Sequence, residues 1–92
     1  MIIKLKTFAR FRDLLGEDLN INLERGGTIS DLLIALIPFS IDLQGQIFDQ
    51  PNEIREDVNI VVNGQHIESL EGLNTGLKDG DEVNIFPAVI GG

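Results

Sequence analysis

The residues best suited to chemistry are the last ones of the chain, which ends in FPAVIGG. A terminal carboxylate becomes reactive once a partner enzyme adenylates it, because AMP is a good leaving group and the acyl carbon can then accept sulfur or an amine. Glycine suits such an end, since it has no side chain to block a narrow channel and adopts backbone angles barred to other residues. Gly91 and Gly92 are therefore candidate reactive residues. The alternative is an inert end, because 10 of the 92 residues are glycine and a terminal pair can arise by chance.

The side chains offer little other chemistry. The chain has no cysteine, which excludes thiol nucleophiles, iron–sulfur clusters and cysteine zinc sites. Its one histidine, His66, is expected to be an exposed polar strand residue and cannot alone supply a Ser–His–Asp triad. The stretch KDGDEV lacks the spacing of a calcium loop, and Gly26-Gly27 lacks the lysine and spacing of a phosphate-binding loop. We therefore expect no bound cofactor, no metal site and no catalytic side chain.

The charge and composition of the chain limit the classes of partner that it can bind. Fifteen acidic and seven basic residues give a formal net charge of −8, which opposes binding to nucleic acid. The acidic surface either steers the protein toward a basic partner or keeps a small domain soluble. No apolar run approaches the ~20 residues of a membrane helix, and the first residues lack the apolar block of a signal peptide. We expect one cytoplasmic domain with no membrane partner.

Two alternating segments open the chain. In MIIKLKT and in LNINLER, apolar and polar residues alternate with the period of a half-buried strand. A turn around Gly16 lies between them. Two strands joined by a short link predict a hairpin.

After Gly26-Gly27, the spacing of the apolar residues changes from the period of a strand to the period of a helix. One helical face carries Ile29, Leu32, Leu33, Leu36 and Ile37. Thr28 and Asp31 resemble a capping box at its start, and Pro38 is expected to end it. Residues 40–56 are interpreted as a short helical segment followed by a loop.

Patterns in the second half of the chain predict further strands. Residues 58–62 alternate before Asn63-Gly64, a dipeptide typical of tight hairpin turns, and Asp79-Gly80 precedes a last strand. Strands on both sides of one principal helix predict an α+β domain, in which a mixed sheet wraps that helix. We place the domain at residues 1–86 and a flexible tail at residues 87–92.

Three stretches resemble a known family. MIIKLKTFARFRDLLG, VVNGQHI and, above all, LKDGDEVNIFPAVIGG are similar to the MoaD/ThiS family of ubiquitin-like sulfur carriers, most closely to the small subunits of molybdopterin synthase. The resemblance covers nearly the whole chain except residues 40–56. Its most specific part is the end motif.

This resemblance implies a β-grasp, ubiquitin-like fold and a reaction cycle. An adenylating enzyme related to ubiquitin-activating enzymes uses ATP to activate Gly92. A sulfur donor acting through that enzyme then converts the carboxylate to a thiocarboxylate. In molybdopterin synthase, the sulfur passes to a pyranopterin precursor held by the large subunit, for molybdenum cofactor biosynthesis. The chain is thus expected to be a non-catalytic subunit that binds no ATP itself.

Partner-binding residues are expected at the base of the tail and in the opening motif. Phe86 falls out of the alternation of the last strand, so it is expected to be partly exposed at the base of the tail and to bind partners; the alternative is an aromatic that closes the core. Pro87 restricts the exit direction of the tail, Val89 lies in the end motif, and Arg12 matches a basic position of the opening motif. Ile90 departs from the small subunits of molybdopterin synthase, which usually carry a smaller residue there, and this leaves the partner's identity open.

Proteins with other functions end in the same two glycines. β-grasp proteins that finish in two glycines also serve as sulfur carriers for thiamin synthesis or tRNA thiolation, and as modifiers attached to lysines of other proteins. A binding or scaffold domain with an inert tail is the remaining alternative. The sequence does not separate the carriers from the modifiers, because both need Gly92 activated.

Overall fold

The structure, a computed structural model, describes residues 1–88, and its main feature is a mixed sheet packed against one helix. The strands are β1 (Ile2–Thr7), β2 (Asp18–Asn22), β3 (Phe48–Gln50), β4 (Glu53–Ile54), β5 (Val58–Val62), β6 (Gln65–His66) and β7 (Glu82–Pro87). The helices are α1 (Arg10–Leu15), α2 (Ile29–Leu36) and α3 (Leu43–Ile47), with 3-10 turns at Ile37–Phe39, Ile67–Ser69 and Gly72–Asn74. No helix within this part of the chain is long and apolar enough to cross a membrane.

The five-stranded sheet has the order β2-β1-β7-β5-β6. The first and last of these strands in the chain, β1 and β7, pair in parallel at its centre, with Leu5 opposite Val83 and Thr7 opposite Ile85. All other pairs in this sheet are antiparallel. The last strand therefore has a hydrogen-bonded neighbour on each side, which fixes the point at which the chain leaves the sheet.

The core lies between this sheet and α2. On the helix, Ile29, Leu32, Leu33 and Leu36 are fully buried, as the helical period predicted. The predicted capping box is present: the Thr28 hydroxyl accepts from the Asp31 N–H, and the Asp31 carboxylate accepts from the Thr28 N–H. These contacts satisfy amide groups that the first helical turn leaves unpaired.

The predicted helix is one residue too long. Ile37 is only half-buried, because the chain tightens into a 3-10 turn that contains Pro38. Proline cannot donate the backbone hydrogen bond that another α-helical turn would use. This turn changes the direction of the chain before α3.

The link between the first two strands is a correction to the sequence prediction. The antiparallel pairing of β1 and β2 is confirmed, but α1 lies between them where a short turn was expected. Phe11 on α1 is fully buried in the core, and Gly16 at φ 93° ends the helix with its N–H bonded to the Arg12 carbonyl. Six helical residues are fewer than two turns, which is too short for a clear helical period.

Residues 40–56 are more regular than predicted. The short helix is confirmed as α3, with Leu43 and Ile47 buried. The expected loop is instead an antiparallel hairpin of β3 and β4, and Asn52 in its turn has φ 65°. Strands of three and two residues are too short to show alternation.

The remaining turns match their sequence signals. Asn63 and Gly64 both have positive φ, as a tight turn between β5 and β6 requires. Gly80, in the turn before β7, has φ 85°. The α+β, β-grasp architecture with one principal helix is therefore confirmed.

Candidate functional site

The base of the tail, which we define as residues 86–88, is fixed by backbone hydrogen bonds. Pro87, predicted as the first residue of the tail, is instead the last residue of β7 and lies opposite Val58. The Ala88 N–H donates to the Asp57 carbonyl over 2.8 Å. The chain is thus held to the edge of β5 up to residue 88. The predicted site residues Val89, Gly91 and Gly92, together with Ile90, lie outside the described residues.

Phe86 lies at this base on the face of the sheet that points away from α2. It is half-buried, as predicted, because it alternates with the buried Ile85. Its ring meets the Phe8 ring edge to face, with 6.3 Å between the ring centroids and 87° between the ring planes. Such pairs stabilise by about 0.5–1.5 kcal/mol beyond the area they bury. We call Phe8 and Phe86 the aromatic pair.

Phe8 was missed in the sequence, where it follows β1 with no pattern to mark it. Its backbone N–H donates to the Ile85 carbonyl over 3.2 Å, which places its side chain next to Phe86. Its side chain remains 45% exposed. An exposed aromatic beside a half-buried one forms an apolar patch of the kind that marks protein–protein contact sites.

A charged cluster lies on the other side of the base. Asp57 accepts hydrogen bonds from two arginines: Arg10 Nη2 is 3.2 Å from Oδ2, and Arg55 Nε is 3.0 Å from Oδ1. We call these three residues the Asp57 cluster. Because the Asp57 carbonyl also binds Ala88, the cluster connects α1, the start of β5 and the base of the tail.

The two arginines favour the ionised form of Asp57. The hydrogen bond from Arg55 holds the pKa of the Asp57 carboxyl below its usual value of 3.8; the charge of Arg10 acts in the same direction, and partial burial opposes both. The same hydrogen bond raises the pKa of Arg55. The ion pairs are consequently formed at neutral pH.

The two arginines of α1 have different surroundings. Arg10, which the sequence prediction missed, contacts Asp57 at the base of the tail. Arg12, the predicted contact residue, has an exposed side chain next to the buried Phe11. Its role as a partner contact stays a prediction.

An open pocket of about 470 Å³ borders the base of the tail. Its lining consists of Asp49, Arg55, Glu56, Asp57 and Ala88. Three of these five residues are acidic, and Arg55 is already paired with Asp57. Arg55 also lies 4.0 Å from Asp49, and Arg10 pairs with Asp57, so Glu56 is the carboxylate that a basic side chain of a partner would meet beside the tail.

His66 has a structural role. It was predicted to be exposed but is half-buried, and both of its ring nitrogens have hydrogen-bond partners. Nδ1 accepts from the Glu68 N–H over 3.1 Å, so the proton lies on Nε2, which is 2.9 Å from Asn59 Oδ1. The ring thereby caps the 3-10 turn that follows it.

The architecture and the end motif have a family counterpart. The sequence model of the ThiS family matches residues 5–92. The chain belongs to the ThiS family. The predicted membership of the MoaD/ThiS family of ubiquitin-like sulfur carriers is thereby confirmed.

Similar proteins fall into two functional groups. Small archaeal modifier protein 3 of Haloferax volcanii is 33% identical over 93 residues, which cover 100% of both chains. Sulfur carrier protein CysO of Mycobacterium tuberculosis is 39% identical over 67 residues, 73% of this chain and 70% of CysO. Among solved structures, a Pyrococcus furiosus protein provisionally named molybdopterin converting factor, subunit 1, is 33% identical, with a TM-score of 0.78 over 97% of this chain and 99% of that one. This ThiS-family chain is similar to both modifiers and sulfur carriers.

Proposed function

We propose that this ThiS-family protein carries sulfur as a thiocarboxylate on Gly92 and acts as the small subunit of molybdopterin synthase. The observation that carries the proposal is the way the chain leaves the sheet. Strand β7 is held on both sides, the Ala88 N–H is bonded to Asp57, and the VIGG of the end motif follows. A rigid base followed by a short end with two glycines suits insertion into the active site of another protein.

The length of the end limits the geometry of that insertion. Four extended residues span at most about 14 Å. A partner must therefore bring its reacting groups within that distance of Ala88, which requires it to bind directly against the base of the tail. The aromatic pair and the open pocket beside Ala88 flank this base. They are the surfaces that such a partner meets first.

The proposed chemistry needs only the terminal carboxylate from this chain. A carboxylate oxygen of Gly92 attacks the α-phosphorus of ATP in the active site of the adenylating enzyme, and pyrophosphate leaves. Sulfide supplied by the donor then attacks the acyl carbon and forms the carbon–sulfur bond of the thiocarboxylate, and AMP leaves with the electron pair of the carbon–oxygen bond. ATP is thus a substrate of the partner enzyme.

The sulfur acceptor in this proposal is a pyranopterin precursor held by a large catalytic subunit. The end motif and the likeness to the Pyrococcus furiosus protein support it. The test is to mix the purified thiocarboxylate form with the precursor, with and without the large subunit. We expect a dithiolene product only when the large subunit is present. Product formed without that subunit would contradict the proposal.

A second candidate function is attachment to other proteins. The whole-length likeness to small archaeal modifier protein 3 favours it, because the name of that relative describes a modifier. Both functions begin with adenylation of Gly92 and diverge afterwards. A modifier leaves the GG end on lysine side chains of other proteins, which peptide mass spectrometry of native cells detects as branched peptides. Carriers for tRNA thiolation or thiamin synthesis leave no such peptides, and they differ from the leading proposal in the sulfur acceptor.

A further inference from the structure

Three large apolar side chains lie exposed on the helix side of the domain. Ile34 on α2 is 59% exposed, Phe39 in the following 3-10 turn is 61% exposed, and Ile41 is 98% exposed. We call these residues the helix-side patch. Ile34 lies on the side of α2 opposite its buried leucines, whereas the aromatic pair lies on the far face of the sheet. The two surfaces therefore face different directions.

The backbone keeps the patch residues close together. Successive one-turn hydrogen bonds join Ile37 to Ile34, Ser40 to Ile37 and Leu43 to Ser40. Residues 34 and 41 are seven residues apart in the chain, so the distance between their Cα atoms is at most about 25 Å. A single binding site of a partner can cover this distance.

The segment that carries the patch is acidic along the chain, although the side chains of Arg10 and Arg55 reach the carbonyls of Gln46 and Gly45 on α3. Residues 26–54 contain four acidic residues and no lysine, arginine or histidine. Asp31 is exposed one helical turn before Ile34, and Asp42 is exposed next to Ile41. The Asp42 side chain makes no capping hydrogen bond at the start of α3, so its carboxylate is available to a partner.

We propose that the helix-side patch is a second protein-binding surface, and that its partner presents an amphipathic helix whose apolar face is bordered by lysines and arginines. The apolar side chains would pack against the apolar face of that helix, and Asp42 would pair with its basic border. The Asp31 carboxylate, which also caps α2, adds negative charge beside the patch. A second copy of this chain is a poor occupant, because two-fold pairing places acidic residues opposite one another between two molecules of net charge −8 each. The surface is independent of the chemistry of Gly92.

The test uses a synthetic helical peptide with leucines on one face and lysines on the other, titrated into ¹⁵N-labelled protein. We expect the shifted backbone amides to concentrate in residues 31–43. The double variant Ile34→Ser, Ile41→Ser should bind at least tenfold more weakly. The matched control Ile2→Ser alters an isoleucine that is 42% exposed on β1, and it should bind as the wild type does.

Two further measurements separate the alternative occupants. Binding should weaken several-fold as salt rises, and Asp42→Lys should weaken it at low salt, because both changes act on the basic border. Sedimentation of the protein alone should show a monomer. A dimer that the double variant abolishes, flotation with phosphatidylcholine vesicles, or amide shifts spread evenly over the acidic surface would each overturn the proposal.

Discussion

Replacing Phe86 with alanine tests whether the aromatic pair binds partners. For a fully buried phenylalanine the change costs about 3–5 kcal/mol of the free energy of unfolding. Phe86 is only half-buried, so no enclosed cavity forms, and we expect roughly half of that loss, about 2 kcal/mol, including the contact with Phe8. A domain of this size is expected to remain folded at 25 °C.

The same substitution should also raise the Kd for the partner enzyme. Central aromatic residues of an interface contribute about 2 kcal/mol or more, which corresponds to roughly a thirtyfold rise in the Kd. The assay is calorimetric titration of the variant with the adenylating enzyme, with urea unfolding measured on the same preparation. Phe8→Ala should weaken binding in the same way, because it removes the other half of the pair.

Leu73→Ala is the matched control. Leu73 is also half-buried against the core, but it lies in the 3-10 turn next to α2, on a different element from either ring of the aromatic pair. It should lower stability by a similar amount and leave the affinity unchanged. If Phe86→Ala unfolds the domain, or if it binds the enzyme as tightly as the wild type, the proposed docking role is wrong.

Three further predictions concern the core, the Asp57 cluster and the terminal glycines. Phe11→Ala should lower the free energy of unfolding by about 3–5 kcal/mol in urea titrations, because the side chain is fully buried; a loss below 1 kcal/mol would contradict the observed packing of α1. The pKa of Asp57 is lowered in the folded state, so its contribution to stability is present above about pH 4 and is lost as the pH falls through the folded-state value. Asp57→Asn should therefore show a shallower loss of stability with acid below pH 4, and an unchanged pH profile would refute the ion pairs. Gly91→Val should block sulfur transfer without unfolding the domain, since a β-branched side chain has to enter a channel built for none; full turnover would show that the end is not inserted.

The fold was predictable where a pattern repeats over enough residues. Strands β1, β5 and β7 have five or six residues each and alternate clearly, and the buried face of α2 has four members. The capping box and the Asn63-Gly64 turn were also predictable from the sequence, because each depends on residues that are close together in the chain. Helix α1 and the β3–β4 hairpin were missed, since neither is long enough to show a period.

The site was predictable only in part. The alternation along β7 indicated correctly that Phe86 is partly exposed. The Asp57 cluster was not predictable, because Arg10 and Asp57 are 47 residues apart in the sequence and meet only through tertiary packing. The same holds for Phe8, whose position depends on the parallel pairing of β1 and β7. Local patterns carry information about strands and helices, whereas contacts between distant segments depend on the whole topology.

The most direct test of Gly92 as the reactive residue is the intact mass of the protein after incubation with its adenylating enzyme, ATP and a sulfur donor. The full chain should gain the mass difference between sulfur and oxygen, and fragmentation should place the gain on Gly92. A variant that lacks Gly92 should remain folded and gain no mass, because the removed residue lies beyond the last residue of the core. Equal sulfur incorporation by the shortened chain, or a full chain that is never modified, would contradict the proposed carrier function.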